Sequence, residues 1–307
     1  MRILIAYDGS GYSRNAFYDL QSAGLPDEAD VTLISVSEMW LLPTKDANVH
    51  DPAFDNDTFE YFRQHSGQMD RNLAETKATL VEAKEKLQSH FPKWHIETES
   101  TQGSPAQVIL KKAALFSPNL IVTGARGLSS DSGSGLGSVS QKILSYSKVS
   151  THIVRGKAET DPDRLKIAIC FDSSPCSFEA VKTVALRKWP GKPEVRLIVV
   201  TDPLIALIPG RIFQVIPGIP EGRMKGETKW VESLAEKSLR MLRNAGLTAS
   251  VHIYSGNPRI MLVSETKEWN ADIIFIGANS GQSHSLGSVA YGVSSRAFCS
   301  VEVITKS

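Results

Sequence analysis

The chain has 307 residues, 41% of them hydrophobic and 22% charged, with a formal net charge of +1. That length suits two ordinary domains, and that composition suits a soluble globular protein. Balanced charge argues against nucleic acid or an anionic membrane surface as partner, and the most apolar later stretch, 204–220, carries Arg211 and three prolines and cannot be a membrane span.

The start, Met1 to Asp8, turns acidic too soon for a signal peptide and is expected to be a first strand, with Ile3 to Tyr7 apolar throughout as in a strand covered on both faces. Ser10 or Ser13 can cap a helix carrying Ala16, Phe17 and Leu20. Val31 to Val36 forms the second strand. A long connection with Pro43 and Pro52 leads to a helix in which Leu73, Leu80 and Leu87 recur at seven residues, with Val81 and Ala83 beside them. Trp94 to Thr98 is a more polar strand, expected near a sheet edge. Gly103-Ser104-Pro105 opens a helix through Val108, Ile109 and Leu110. Leu120 to Thr123 is the fourth strand. A glycine-rich loop runs to Gly137-Ser138-Val139, a helix passes through Leu144, and Thr151-His152-Ile153-Val154 is a short fifth strand. Residues 156–164, charged and containing Pro162, form a linker. The expected division is a first domain over 1–157, a linker over 158–164 and a second domain over 165–307.

The second half repeats the first. Lys166 to Ser174 copies Arg2 to Ser10 at an offset of 164, and Leu197 to Val200 copies Leu33 to Val36 at the same offset. Gly256-Asn257-Pro258 copies Gly103-Ser104-Pro105, and Ile274 to Ala278 copies Ile121 to Ala125, both at 153. Leu286-Gly287-Ser288-Val289 copies Leu136 to Val139 at 150, and the last strand, Val301 to Ile304, keeps that offset. Matches in unchanging order, with an offset that falls in two steps, mean two copies of one βα unit. The fold class is therefore α/β: two tandem doubly wound domains, each a mainly parallel five-stranded sheet with helices on both faces. Ligands of such sheets bind at the carboxyl ends of the strands, where Asp8, Val36, Thr123 and Gly124 all lie. A strand, a glycine-rich loop and a helix start can bring backbone N–H groups and a helix dipole to a phosphate, although such loops also serve as plain connections. Asp8 could equally be a strand-end residue capping the next helix, and Arg126 a solvated loop cation.

These residues resemble the universal stress protein family over nearly the whole chain, in tandem. The family's nucleotide motif is Gly, two residues, Gly, nine residues, then Gly-Ser or Gly-Thr, and Gly124, Gly127, Gly137 and Ser138 fit it without a gap. The resemblance implies the Rossmann-like fold of adenine nucleotide alpha hydrolases and ATP as ligand. It implies that Asp8 and Val36 hold the adenosine end, and that Thr123, Gly124, Arg126, Gly127, Gly137, Ser138 and Val139 surround the ribose and phosphates. Gly127, Gly137 and Ser138 would offer N–H groups to the triphosphate, and Mg²⁺ would be held mostly by phosphate oxygens. It further implies pairing of the two domains through their last strands, Thr151 to Val154 against Val301 to Ile304; a homodimer beyond that pair stays open.

The second copy departs from the motif: Gly277-Ala278-Asn279-Ser280 is followed by only six residues before Gly287, and Ser280 stands where the second glycine belongs. One intact ATP site is expected, in the first domain. No catalytic set accompanies it. There is no Gly-x-Ser-x-Gly elbow, no His-Glu-x-x-His and no Walker lysine; His50, His65, His90 and His95 read as surface residues. A nucleotide-dependent regulatory protein with an unknown protein partner is expected. The alternatives are a slow ATPase, autokinase or nucleotidyl transferase in the same pocket, or a scaffold using the 204–220 segment without nucleotide. Cys170, Cys176 and Cys299 lack metal-ligand spacing and read as reduced, buried thiols of a cytoplasmic protein. Trp230, Leu234 and Met241 read as the core face of a helix.

Overall fold

A computed structural model describes residues 1–38, 74–127, 135–155, 164–201, 224–278 and 286–305. The long connection with His50 and His65, the centre of the glycine-rich loop, the linker as far as residue 163 and the 204–220 segment lie outside the described residues, as do the side chains of Trp230 and Leu234.

The first half runs β1 (Arg2–Ala6), α1 (Gly11–Gln21), β2 (Asp30–Glu38), α2 over 74–90, β3 (His95–Gly103), α3 (Pro105–Phe116), β4 (Leu120–Gly124), α4 (Ser138–Tyr146) and β5 (Ser150–Val154). The second half follows the same plan: β6 (Lys166–Cys170), α5 (Pro175–Leu186), β7 (Glu194–Thr201), α6 (Met224–Asn244), β8 (Thr248–Ser255), α7 (Pro258–Glu268), β9 (Ile273–Ala278), α8 (Ser288–Arg296) and β10 (Ser300–Thr305). The strands form one sheet in the order β3-β2-β1-β4-β5-β10-β9-β6-β7-β8. Every pairing within a half is parallel; the halves join where β5 and β10 run antiparallel, with Ile153 opposite Val301, His152 opposite Glu302 and Thr151 opposite Val303. Two edges that would otherwise be open templates thereby satisfy each other.

The apolar run of β1 is explained by the two layers over it. Ile3 and Ile5 face Phe17, Leu20, Leu80 and Leu87 of α1 and α2, whereas Leu4 faces Ile109, Ala113 and Ile143 of α3 and α4. β3 is the edge strand of the first half and is largely polar, as expected, but it starts one residue after Trp94. Trp94 instead buries its ring, stacked on Phe91, and donates its indole N–H to the Pro26 carbonyl at 3.0 Å.

Two readings of helix faces need correction. Val81 is exposed while Leu80, Ala83 and Leu87 are buried, because the seven-residue spacing marks the face and its neighbour falls outside it. Met241 is also exposed; the buried face of α6 is Ala235, Ser238, Leu239 and Leu242. Ser10, not Ser13, caps α1: the Ser13 N–H donates to Ser10 Oγ at 3.2 Å.

The second half's inner core does not close on itself. Ala168, Cys170, Ile274 and Val301 form one cluster with Ala125, Leu144 and Ile153 of the first half, and Leu136 and Leu286 pack against it from the ends of the two loops. All three cysteines are buried and free of disulfides, and burial pushes the Cys170 thiol well above its ordinary range.

Candidate nucleotide site

In each half, strand order reverses between the first and fourth strands, β1 and β4 or β6 and β9. Chain leaving the two strands in opposite directions opens a crevice there. In the first half the residues after β1 and β4 meet in it: a Cβ built on Gly127 would lie 2.7 Å from Asp8 Oδ2. Any side chain at position 127 would therefore drive the carboxylate away. Asp8 itself is exposed, and its Oδ1 accepts the Ser10 N–H at 3.0 Å. That turn depends on Gly9, whose φ of 76° suits a residue without Cβ. One Asp8 oxygen therefore shapes the turn into α1, and the other faces Gly127.

The loop that follows β4 is tied at its base. The Gly137 N–H donates to the Ala125 carbonyl at 2.8 Å, and Arg126 Nε donates to the Gly135 carbonyl at 3.1 Å. Two expectations change here. Arg126 is a half-buried staple across the loop and not a freely solvated cation. The Gly137 N–H is engaged with protein, so it is not a free donor for a triphosphate. The orphan donors at this end belong to the first turn of α4, beginning at Ser138. Gly137 is the N-cap residue and provides no side-chain cap, which leaves the N–H groups of Ser138, Val139 and Ser140 without intrahelical partners. Ser138 is exposed and Val139 half-buried. Ser140 is buried, and its Oγ donates to the Gly124 carbonyl at 2.6 Å, fixing α4 to the end of β4. Sequence reading missed that anchor, for which only its place on the buried face of α4 is a signal.

Thr123 and Gly124 are buried at the end of β4. The Thr123 hydroxyl donates to the Gly124 carbonyl at 3.3 Å. A Cβ on Gly124 would lie 3.0 Å from Tyr12 Cβ and 3.3 Å from the Ser13 nitrogen. This glycine first serves the close approach of α1 to the sheet. Val36 sits near the end of β2, opposite Thr101 of β3, and packs at the margin of the α3–α4 cluster.

The second half keeps the scaffold and alters the floor. Asp172 Oδ1 accepts the Ser174 N–H at 2.9 Å, repeating the turn, with Ser173 held at a φ of 61° where the first half has Gly9. Gly287 is the N-cap of α8, again with no side-chain cap. At Gly277, however, a Cβ would lie only 2.3 Å from the Cys176 carbonyl carbon and 2.6 Å from the Ser177 nitrogen. Helix α5 lies harder on its strand than α1 does, and Ile276 replaces the Thr123 hydroxyl. Residues 279–285 lie outside the described residues.

Among the described residues, no cluster of three His, Cys, Asp or Glu side chains is placed to hold a metal, and no helix is long and apolar enough to cross a membrane. His95 is exposed and 3.6 Å from Glu97; His90 lies edge-on to Tyr18.

The sequence matches the model of the universal stress protein family twice, over residues 1–155 and 164–305. Among solved structures, a universal stress protein from Archaeoglobus fulgidus is 21% identical with a TM-score of 0.64, over 100% of this chain and 98% of that one. A functionally unknown protein from Pseudomonas aeruginosa is 14% identical with a TM-score of 0.55, over 99% of this chain and 92% of that one. A universal stress protein family protein from Arabidopsis thaliana, solved with AMP bound, matches 47% of this chain at 15% identity and a TM-score of 0.32. No curated protein matches the sequence.

Proposed function

Because the chain belongs to the universal stress protein family in both of its halves, we propose that it is a regulatory protein that binds ATP in its first domain only. The observation that carries this reading is the approach of Gly127 to Asp8, with room for no Cβ between them, beside a helix start that has no side-chain cap from its N-cap residue Gly137. Asp8 and the backbone near Val36 take the adenosine end. The N–H groups of Ser138 and Val139, with the Ser138 hydroxyl and the positive end of the α4 dipole, take the phosphates. Arg126 ties the two ends of the loop together through the Gly135 carbonyl. Mg²⁺ brought in with the nucleotide would supply charge neutralisation at the phosphates.

The second domain does not repeat the site. It carries Ser280 where the first has Gly127, the position at which a Cβ in the first domain would displace the Asp8 carboxylate. Its shorter tether spans less of a triphosphate. The sequence carries no catalytic motif beside this loop, which favours a nucleotide-dependent state read by a protein partner over turnover. Small molecules released by denaturing the freshly purified protein, and identified by mass spectrometry, test the reading. An adenine nucleotide at up to one per chain is expected. No adenine nucleotide, even after incubation with Mg²⁺ and ATP, overturns it.

A further inference from the structure

A duplicated chain whose halves pair across a pseudo-twofold axis sets equivalent positions opposite each other. The hydrogen bonds at the seam show that symmetry: the Arg155 N–H donates to Ser300 Oγ at 3.1 Å, and the Thr305 N–H to Ser150 Oγ at 3.2 Å. Residues 152 and 302, equivalent at the offset of 150, lie directly opposite on β5 and β10. Residues 23 and 187, equivalent at 164, also meet, through a bond of 2.7 Å from Arg187 Nη1 to the Ala23 carbonyl.

Backbone contacts obey the symmetry, but the charges on it do not. The first domain brings Asp19 and His152, with His152 Nε2 at 2.6 Å from Asp19 Oδ2. The second brings Glu302 and Arg187, with Arg187 Nη2 at 2.5 Å from Glu302 Oε1. Across the axis His152 Nδ1 lies 3.0 Å from Glu302 Oε2, and Ser300 Oγ donates to Asp19 Oδ1 at 2.5 Å. With a carboxylate on each ring nitrogen, His152 is the imidazolium, donating twice. The result is a buried row of alternating sign: Asp19, His152, Glu302, Arg187. His152 and Glu302 are essentially inaccessible to water.

We propose that this row selects the partner of each last strand, so that the first domain accepts the chain's own second domain and rejects a copy of itself. A second copy of the first domain in that place would set imidazolium against imidazolium, and a second copy of the second domain would set carboxylate against carboxylate. Both clashes fall on the axis, in the buried seam, where water screens least. Buried ion pairs are weak sources of net stability, and their best-attested use is to decide register and partner. A seam of ordinary apolar residues would close this sheet equally well and would not discriminate.

Full-length variants test the selection. His152→Glu makes both halves acidic at the axis, and Glu302→His makes both basic. Each alone is expected to unfold at lower urea than wild type. Refolded together, they are expected to form a two-chain species in native mass spectrometry. The second domain of the His152→Glu chain and the first domain of the Glu302→His chain then rebuild the original row, and the remaining pair is also opposite in sign. Wild type treated alike stays a single chain. Two variants that fold with the wild-type midpoint, or fold and yield no more two-chain species mixed than apart, overturn the proposal. Should neither variant fold, alone or mixed, a double-mutant cycle with His152→Gln and Glu302→Gln decides it. The double variant's unfolding constant is expected to fall short of the product of the two single effects by about tenfold. Equality of the two overturns the selection.

Discussion

Gly124 and Gly277 occupy equivalent positions, yet they tolerate a side chain differently. At Gly277 a new Cβ meets the backbone of Cys176 and Ser177 inside 2.6 Å, and backbone cannot step aside as a side-chain tip can. At Gly124 the nearest atoms are 3.0–3.3 Å away. Gly277→Ala should therefore destabilise by about 1–3 kcal/mol, as overpacking does, and Gly124→Ala by less; urea unfolding of the two variants checks the order. Ser173 is the converse case. It holds a φ of 61° that its counterpart Gly9 holds at no steric cost, so Ser173→Gly should stabilise, or at worst leave unchanged, by up to about 1 kcal/mol in the same assay. At Gly127 the cost of a side chain falls on the site: Gly127→Ala should keep the fold and displace Asp8, lowering ATP affinity by at least about tenfold in a titration.

At the scale of elements, β5 and β10 carry the pH dependence. Burial alone would lower the pKa of His152, but the hydrogen bonds to Asp19 and Glu302 outweigh it and raise it to about 9 from 6.5. A group whose pKa is raised by folding stabilises fully below its unfolded value and loses that contribution as pH rises through the folded one. The seam should weaken between neutral pH and about 9, seen as a falling urea midpoint, and His152→Gln should flatten that fall. Burial alone would raise the pKa of Glu302, but Arg187 and His152 lower it, so its contribution is lost at the acid end. These elements also mark what sequence could tell. Strand β1 was legible because burial on both faces leaves an unbroken apolar run. The outward turn of Val81 and Met241 was not, since both are apolar and only packing decides which of several adjacent apolar residues faces the sheet. The row from Asp19 to Arg187 was hidden for another reason. Its members are far apart in sequence, and only the antiparallel register of β5 and β10 brings them together, although the offset of 150 already matched His152 with Glu302.

At the scale of the molecule, two copies of one unit build a single sheet, and the proposed function gives its halves different tasks. The duplication was legible from stepped offsets, and the crevice from the positions of Asp8, Thr123 and Gly124 at strand ends. What sequence could not resolve was the division of labour among the loop's atoms. The tie from Gly137 to Ala125, the Arg126 staple and the Ser140 anchor depend on backbone directions that a spacing motif does not encode. The proposed asymmetry between halves rests on Ser280 and the shortened tether together with the tighter seat of Gly277. Equilibrium dialysis of the full chain against labelled ATP with Mg²⁺ measures that asymmetry directly. Saturation is expected at one ATP per chain, abolished by Gly127→Val and untouched by Ser280→Ala. Saturation at two per chain, or binding that survives Gly127→Val unchanged, would contradict it.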